Sequence, residues 1–288
     1  MKLSPGANLP AAPRIFSSVK RFRGVALLLV MSSLNLVATQ ASFAQTVNDP
    51  LATLKVAVKT ELDADDNDHS RWRYRDEQRD LNIVSIVVQT DFGSVKRLIS
   101  RDGKPISPDE ASQEEDRLNR FVHDSSKLAK QRRDGMADDK SARELLDMLP
   151  EAFTWTMESQ NATVVRLHFE PRPDFHPPTL QSRVLAAMNG SVVVDKAQHR
   201  IMTISGRLTQ DVTFGFGFFG RLVKGGTFRV ERRQLAPGLW QITETHVHID
   251  GKALLFKNIG EQQDEVQTGY TPVPHGTTLE QAVVLSRP

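Results

Sequence analysis

The stretch Asn189-Gly190-Ser191-Val192-Val193-Val194-Asp195, with Ile201-Met202-Thr203-Ile204-Ser205-Gly206 shortly after it, decides how the chain reads. β-Branched residues dominate both segments, which suits extended backbone, and the polar link Asp195 to Gln198 predicts a hairpin. The pattern continues to about Tyr270. Thr227 to Gln234 alternates Phe228 and Val230 with Arg229, Glu231 and Arg233, and Pro237-Gly238 turns the chain into Leu239 to Ile249. Asp250-Gly251 turns it again into Lys252 to Ile259, and Gln263 to Tyr270 supplies a last strand. Turns this short favour antiparallel neighbours, because a parallel crossover needs a dozen or more residues. The expected fold is α+β: a strongly curved antiparallel β-sheet or incomplete β-barrel, covered or plugged by helices.

Outward from this meander, the earlier chain supplies strands and the cover. Trp72 and Tyr74 alternate with Arg71, Arg73 and Arg75 as in a half-buried strand. Leu81 to Thr90 is a β-branched run suited to a central strand, and Ser94 to Ser100 follows before the tight turn Asp102-Gly103. Phe153 to Met157 and Ala162 to Phe169 form a further pair, followed by a stiff proline connector from Glu170 to Pro178 and a short helix from Thr179 to Met188.

Helices are expected in three other places. Asp49 caps and Pro50 starts a helix over residues 50–63, with Leu51, Leu54, Val58 and Leu62 on one face. The acidic run Asp63, Asp65, Asp66 and Asp68 lacks the glycine turn and terminal acid of a calcium loop and reads as a solvated linker. A helical insertion spans 107–149. Ser107, Pro108 and Glu110 make a capping box, Leu118, Phe121, Val122 and Leu128 form the stripe, and Gly135 stops the first helix. Its second helix, Asp138 to Leu149, turns Ala142, Leu145, Leu146 and Leu149 inward and places a cavity between sheet and helices. Residues 45–270 thus read as one domain, and 271–288 as a C-terminal tail with a short helix.

The first 44 residues carry Lys2, Arg14, Lys20, Arg21 and Arg23 and no acid, then the apolar run Gly24 to Met31 and the small-residue pattern Ser42-Phe43-Ala44. That is a signal-peptide pattern with a predicted cut before Gln45. A retained membrane anchor is the rival reading, but the apolar run falls short of the roughly 20 residues that cross a bilayer. The expected location is therefore periplasmic or otherwise exported, with no stable transmembrane insertion after cleavage. The whole chain carries a net charge of +2; removing five of its 37 bases leaves 32 against 35 acids, about −3. Without a positive excess, a nucleic-acid partner has no electrostatic support. The absence of cysteine removes disulfides, thiolate metal sites and cysteine catalysis from consideration.

Candidate chemistry is sparse. Period two puts Glu244, His246, His248 and Asp250 on one face of a strand, where two imidazoles and a carboxylate could hold a divalent metal. The same pattern describes the water-facing side of an ordinary sheet. Gly215-Phe216-Gly217 and Gly225-Gly226 lack the Gly-Lys-Ser/Thr ending of a phosphate loop. Dense Phe214, Phe216, Phe218 and Phe219 instead make an apolar lip: either a bent hairpin with buried rings, or a mobile gate to an apolar cavity or a contact with membrane or lipid. No nucleophile turn is present, so no catalytic residue and no cofactor are expected.

The leader, the initial helix and strands interrupted by helices before a meander resemble the periplasmic lipoprotein-carrier and localisation superfamily. The segments that carry the resemblance are Leu51-Ala52-Thr53-Leu54, Gly190-Ser191-Val192-Val193-Val194-Asp195, Ile201-Met202-Thr203-Ile204 and Gly251-Lys252-Ala253-Leu254-Leu255-Phe256. It covers about residues 46–270 and implies a curved, incompletely closed sheet whose concavity holds acyl chains. On that reading the protein reversibly binds a lipid, acyl chain or lipoprotein. Phe214, Phe216, Phe218, Phe219 and Leu222 stand at the entrance; Trp240, Leu254 and Phe256 form walls. Two other classes remain: a periplasmic interaction or sensor scaffold that binds an envelope protein, and a metal-dependent enzyme using the His246 and His248 face.

Overall fold

The computed structural model describes residues 49–214, 220–253, 257–258 and 261–288. The leader over 1–44 lies outside the described residues. The chain begins with α1 (Pro50–Asn67) and the strands β1 (Trp72–Gln78), β2 (Ile83–Thr90), β3 (Gly93–Arg101) and β4 (Lys104–Pro105). Helices α2 (Pro108–Val122) and α3 (Ser125–Ala152) precede β5 (Phe153–Gln160) and β6 (Val164–Pro171), and α4 (Leu180–Leu185) leads into β7 (Met188–Asp195) and β8 (Ile201–Leu208). Then come β9 (Val212–Phe214), β10 (Gly220–Leu222), β11 (Thr227–Ala236), β12 (Leu239–Ile249), β13 (Gly251–Ala253), β14 (Lys257–Asn258), β15 (Glu261–Pro272) and α5 (Leu279–Leu285).

Eleven strands form one open antiparallel sheet in the order β4-β3-β2-β1-β15-β12-β11-β8-β7-β6-β5, and a small sheet in the order β14-β13-β10-β9 stands apart from it. The α+β class is as expected; the strongly curved sheet or incomplete barrel is not. Register supplies the physical reason. Ile86 pairs with Arg75, Arg75 with Thr268, and Val266, two residues before Thr268, with Glu244. Directly paired side chains share a face, so Ile86 lies on the face of Glu244 and His246, opposite Thr245 and Val247.

The helices follow this division. Helices α2 and α5 bring Leu118, Val122, Leu279, Ala282 and Val283 onto Ile86, Val88 and Val95 at the β1–β3 end. Helices α1, α3 and α4 cover the other face at the far end, packing Leu54, Val58, Leu145, Leu149 and Leu185 on Trp155, Leu167, Phe169, Val192, Val230 and Val247. Two cores on opposite faces leave no single concavity for the sheet to wrap. Strand β15 joins the halves by pairing with both β12 and β1.

Close backbone approach occurs where β7 meets β8. A Cβ on Gly190 would lie 1.9 Å from the Ser205 carbonyl oxygen, and one on Gly206 would lie 2.5 Å from the Phe228 ring. The bare backbone therefore makes room for Phe169 and Phe228 over the strands.

The helical insertion is divided differently from the sequence expectation. The break falls at His123 and Asp124, where the Asp124 carboxylate accepts from the Ser126 and Lys127 amides and caps α3. The 28-residue α3 then runs through Gly135. A Cβ there would meet nothing within 4 Å, so the glycine sits in open space and costs the helix only its propensity, about 1 kcal/mol. Helix α1 also continues through the acidic run to Asn67, because Asp65 and Asp66 are held by Arg143 of α3.

Candidate functional site

A cavity of about 200 Å³ lies where α1 and α3 cross the sheet at β8, β11 and β12. Its apolar wall is built from helical spacing on α3, where Leu145, Leu146 and Leu149 face Ile201 and Ile204 of β8, Val230 of β11 and Ile242 of β12. Trp240 lines it too, donating from Nε1 to Gln198 Oε1 at 3.1 Å, and the Arg200 guanidinium sits 5.8 Å from its ring centre.

The polar end is centred on Glu61, which is only 3 % exposed. Position 61 continues the α1 stripe of Leu54, Ala57 and Val58, so helix geometry buries this carboxylate with the core. Burial by itself opposes its ionisation. The adjacent Arg232 charge and hydrogen bonds from Arg200 and Arg232 override that and hold its pKa below the ordinary value. Arg200 pairs with Glu61 at 2.9 Å, Arg232 touches the same oxygen, and the Ile201 amide donates to the other oxygen at 2.7 Å. At the outer rim Arg143 pairs with Asp65 and Asp66, and Asp68 accepts from Gln241 at 3.0 Å; Asp139 lines the same region. An apolar slot with a charged, internally braced end can hold an amphiphilic molecule, and nothing in it resembles a nucleophile and base pair.

Among the described residues expected to bind ligand, Trp240 lines this cavity. Leu222 of β10 packs half-buried against the large core and pairs with Val212 across the small sheet; it does not line the cavity. Phe214 ends β9, opposite Gly220. Phe216, Phe218, Phe219, Leu254 and Phe256 lie outside the described residues.

Glu244, His246 and His248 do share the face opposite Thr245, Val247 and Ile249. Their side chains do not converge, however. His246 meets Asp264 at 2.9 Å through Nδ1 and Glu244 at 3.4 Å through Nε2, while His248 and Asp250 lie 3.8 Å apart at the exposed end of the strand. Among the described residues no group of three His, Asp or Glu side chains could hold a metal ion.

A second polar centre lies on the helix α1 side of β1 and β15, where Asp76 is 1 % exposed and faces Glu265. Lys96 contacts Asp76 Oδ2, while Gln263 and Gln267 donate to the two Glu265 oxygens at 2.7 and 2.8 Å. Asp76 Oδ1 has no donor among the described residues unless it shares a proton with Glu265. Burial first, and then the neighbouring Glu265, push Asp76 up to about 7. Burial also pushes Glu265 upward, but hydrogen bonds from Asp76, Gln267 and Gln263 override it and hold that carboxyl below its ordinary value. Tyr270 closes this centre, stacked on Tyr74 and donating to the Ile242 carbonyl at 2.6 Å.

Sequence reasoning missed Glu61, Arg200, Arg232, Asp76 and Glu265. The available signal was a carboxylate on the apolar stripe of α1. Arg232 lies on the inward face of Phe228 and Val230, where alternation along β11 puts it; the bulge at this point lies in β12, where the extra Thr243 separates the partners of Glu231 and Arg232. No protein-family model matches the chain, and no curated protein or solved structure matches it either.

Proposed function

We propose that this protein reversibly binds a small apolar or amphiphilic ligand, of the size of one acyl chain end, in the cavity between α1, α3 and the sheet. The observation that carries this reading is the cavity itself: an apolar wall of leucine, isoleucine and tryptophan that ends on a buried charged cluster. Size narrows the ligand. The volume of about 200 Å³ is near the ~150 Å³ of a cavity that takes one benzene, and below the ~300 Å³ where drug-sized pockets begin. A single short chain fits such a space; the whole of a two-chain lipid does not. Each methylene moved from water into it contributes about 0.8 kcal/mol, enough for reversible capture without covalent chemistry.

The basic and apolar leader supports an exported setting for this binding, and among the described residues no helix is long and apolar enough to cross a membrane. The acyl-chain chemistry implied by the lipoprotein-carrier resemblance is retained here on the cavity's own account, without the curved concavity.

Native mass spectrometry of protein purified from an exporting host without detergent tests the reading. The expected result is a bound mass that is released on denaturation and lost in Leu146→Trp, whose indole would fill the cavity. A bare protein mass that takes up no added alkyl ligand would overturn it.

A further inference from the structure

The polar end of the cavity carries an imbalance that its apolar wall does not explain. Glu61 Oε2 serves both Arg200 and Arg232, and Glu61 Oε1 is occupied by the Ile201 amide. At this end one carboxylate meets two guanidiniums, while the cavity's other charged lining residues are Asp65, Asp68, Asp139 and Arg143. Arg200 is 6 % exposed, and its Nε is buried with no acceptor among the described residues. Among the described residues its Nη1 reaches only the Gly238 carbonyl, at a long 3.4 Å.

A buried donor without an acceptor costs free energy, and more when the group is charged. An acceptor that arrives with a ligand at Arg200 and Arg232, which line the cavity, adds charge-assisted hydrogen bonds there. The guanidinium is also held in place before any ligand arrives, by Glu61 on one side and by the Trp240 ring on the other. Such a fixed fork matches the flat, two-oxygen geometry of a carboxylate. A bulkier headgroup would take volume that the cavity does not have.

We propose that the ligand is a monoanionic amphiphile, a medium-chain carboxylate, lying with its chain along Leu145, Leu149 and Ile204 and its carboxylate at the Arg200 and Arg232 end. This rests on the reading of the cavity as a ligand site and adds the charge and orientation of the occupant. Binding is a simple association: no bond is made or broken, and the carboxylate replaces its water shell with guanidinium donors.

Isothermal titration with octanoate and with octanol, probes of one chain length that differ in charge, tests it. Octanoate is expected to bind at least ~10-fold more tightly than octanol, the scale of one charge-assisted hydrogen bond. In Arg232→Gln that ratio is expected to fall toward unity, and in Arg232→Lys, which keeps the charge, to recover in part. Equal affinities for the two probes in the native protein would overturn the anionic ligand while leaving the apolar site standing. A preference that persists undiminished in Arg232→Gln would overturn the placement of the headgroup. Binding of neither probe would overturn both this inference and the site on which it rests.

Discussion

Asp76→Asn offers the sharpest test of the electrostatics, because it replaces a shared proton with a permanent donor. In the native chain Asp76 Oδ1 is buried beside Glu265, and the pair needs one proton to avoid two adjacent buried negative charges. The folded state holds that proton to about pH 7, whereas the unfolded chain releases it near 3.8. Between those values the folded state binds more protons than the unfolded one. Stability from this pair is therefore greatest at the acid end of the window, falls as pH rises through it, and stays lost above about 7. The slope is about 1.4 kcal/mol per pH unit, which makes the whole window worth on the order of 4 kcal/mol.

The substituted amide would keep an oxygen for Lys96 and turn an N–H toward Glu265, so its hydrogen bonds would not depend on pH. Urea unfolding of both proteins from about pH 5 to about pH 8, a range that spans the upper part of the window, measures the effect. Histidines and other carboxylates titrate in both, so the difference between the two curves isolates the pair. The Asp76→Asn variant is expected to be the less pH-dependent protein and to gain stability relative to the native chain as pH rises. Parallel curves, or a native chain that gains on the variant toward the alkaline end, would refute the shared proton.

Two further outcomes test the packing. Gly206→Ala is expected to lower stability by about 1 to 3 kcal/mol in denaturant melts, because the new methyl group enters the Phe228 ring, 2.5 Å away, and one of the two must move. Truncation after Thr278 would strip Leu279, Ala282 and Val283 from β2 and β3 and remove the Ser286 and Val283 acceptors of the buried Arg97. The expected loss is about 3 kcal/mol or more, with faster hydrogen exchange confined to β1–β3 while β5–β8 stay protected.

The parts of this fold that were legible in the sequence are those decided by neighbours along the chain. The Ser107 capping box, the β7–β8 hairpin and the alternation from Glu244 to Ile249 in β12 each depend on residues a few positions apart, and each stands in the structure. What was not legible depends on pairing between distant segments. The choice of β15 as the partner of β1 puts the two cores on opposite faces, and that parity cannot be read from either strand alone. A bulge has the same effect on a smaller scale: the extra residue Thr243 in β12 brings Ile242 and Trp240 onto the face of Thr245 and Val247, although simple alternation would leave them with Glu244 and His246.

The cavity lies between these two cases. Glu61 among Leu54, Ala57 and Val58 was visible as an acid on an apolar stripe, a position that folding tolerates only if a cation meets it inside. Helical periodicity thus indicates that a buried partner exists, but it does not say which of the chain's many arginines supplies it. The answer comes from β8 and β11, which place Arg200 and Arg232 together on one oxygen. If the pair served only to neutralise Glu61, one guanidinium would suffice. On the proposed reading, the second cation is half of a contact whose other half comes with the ligand.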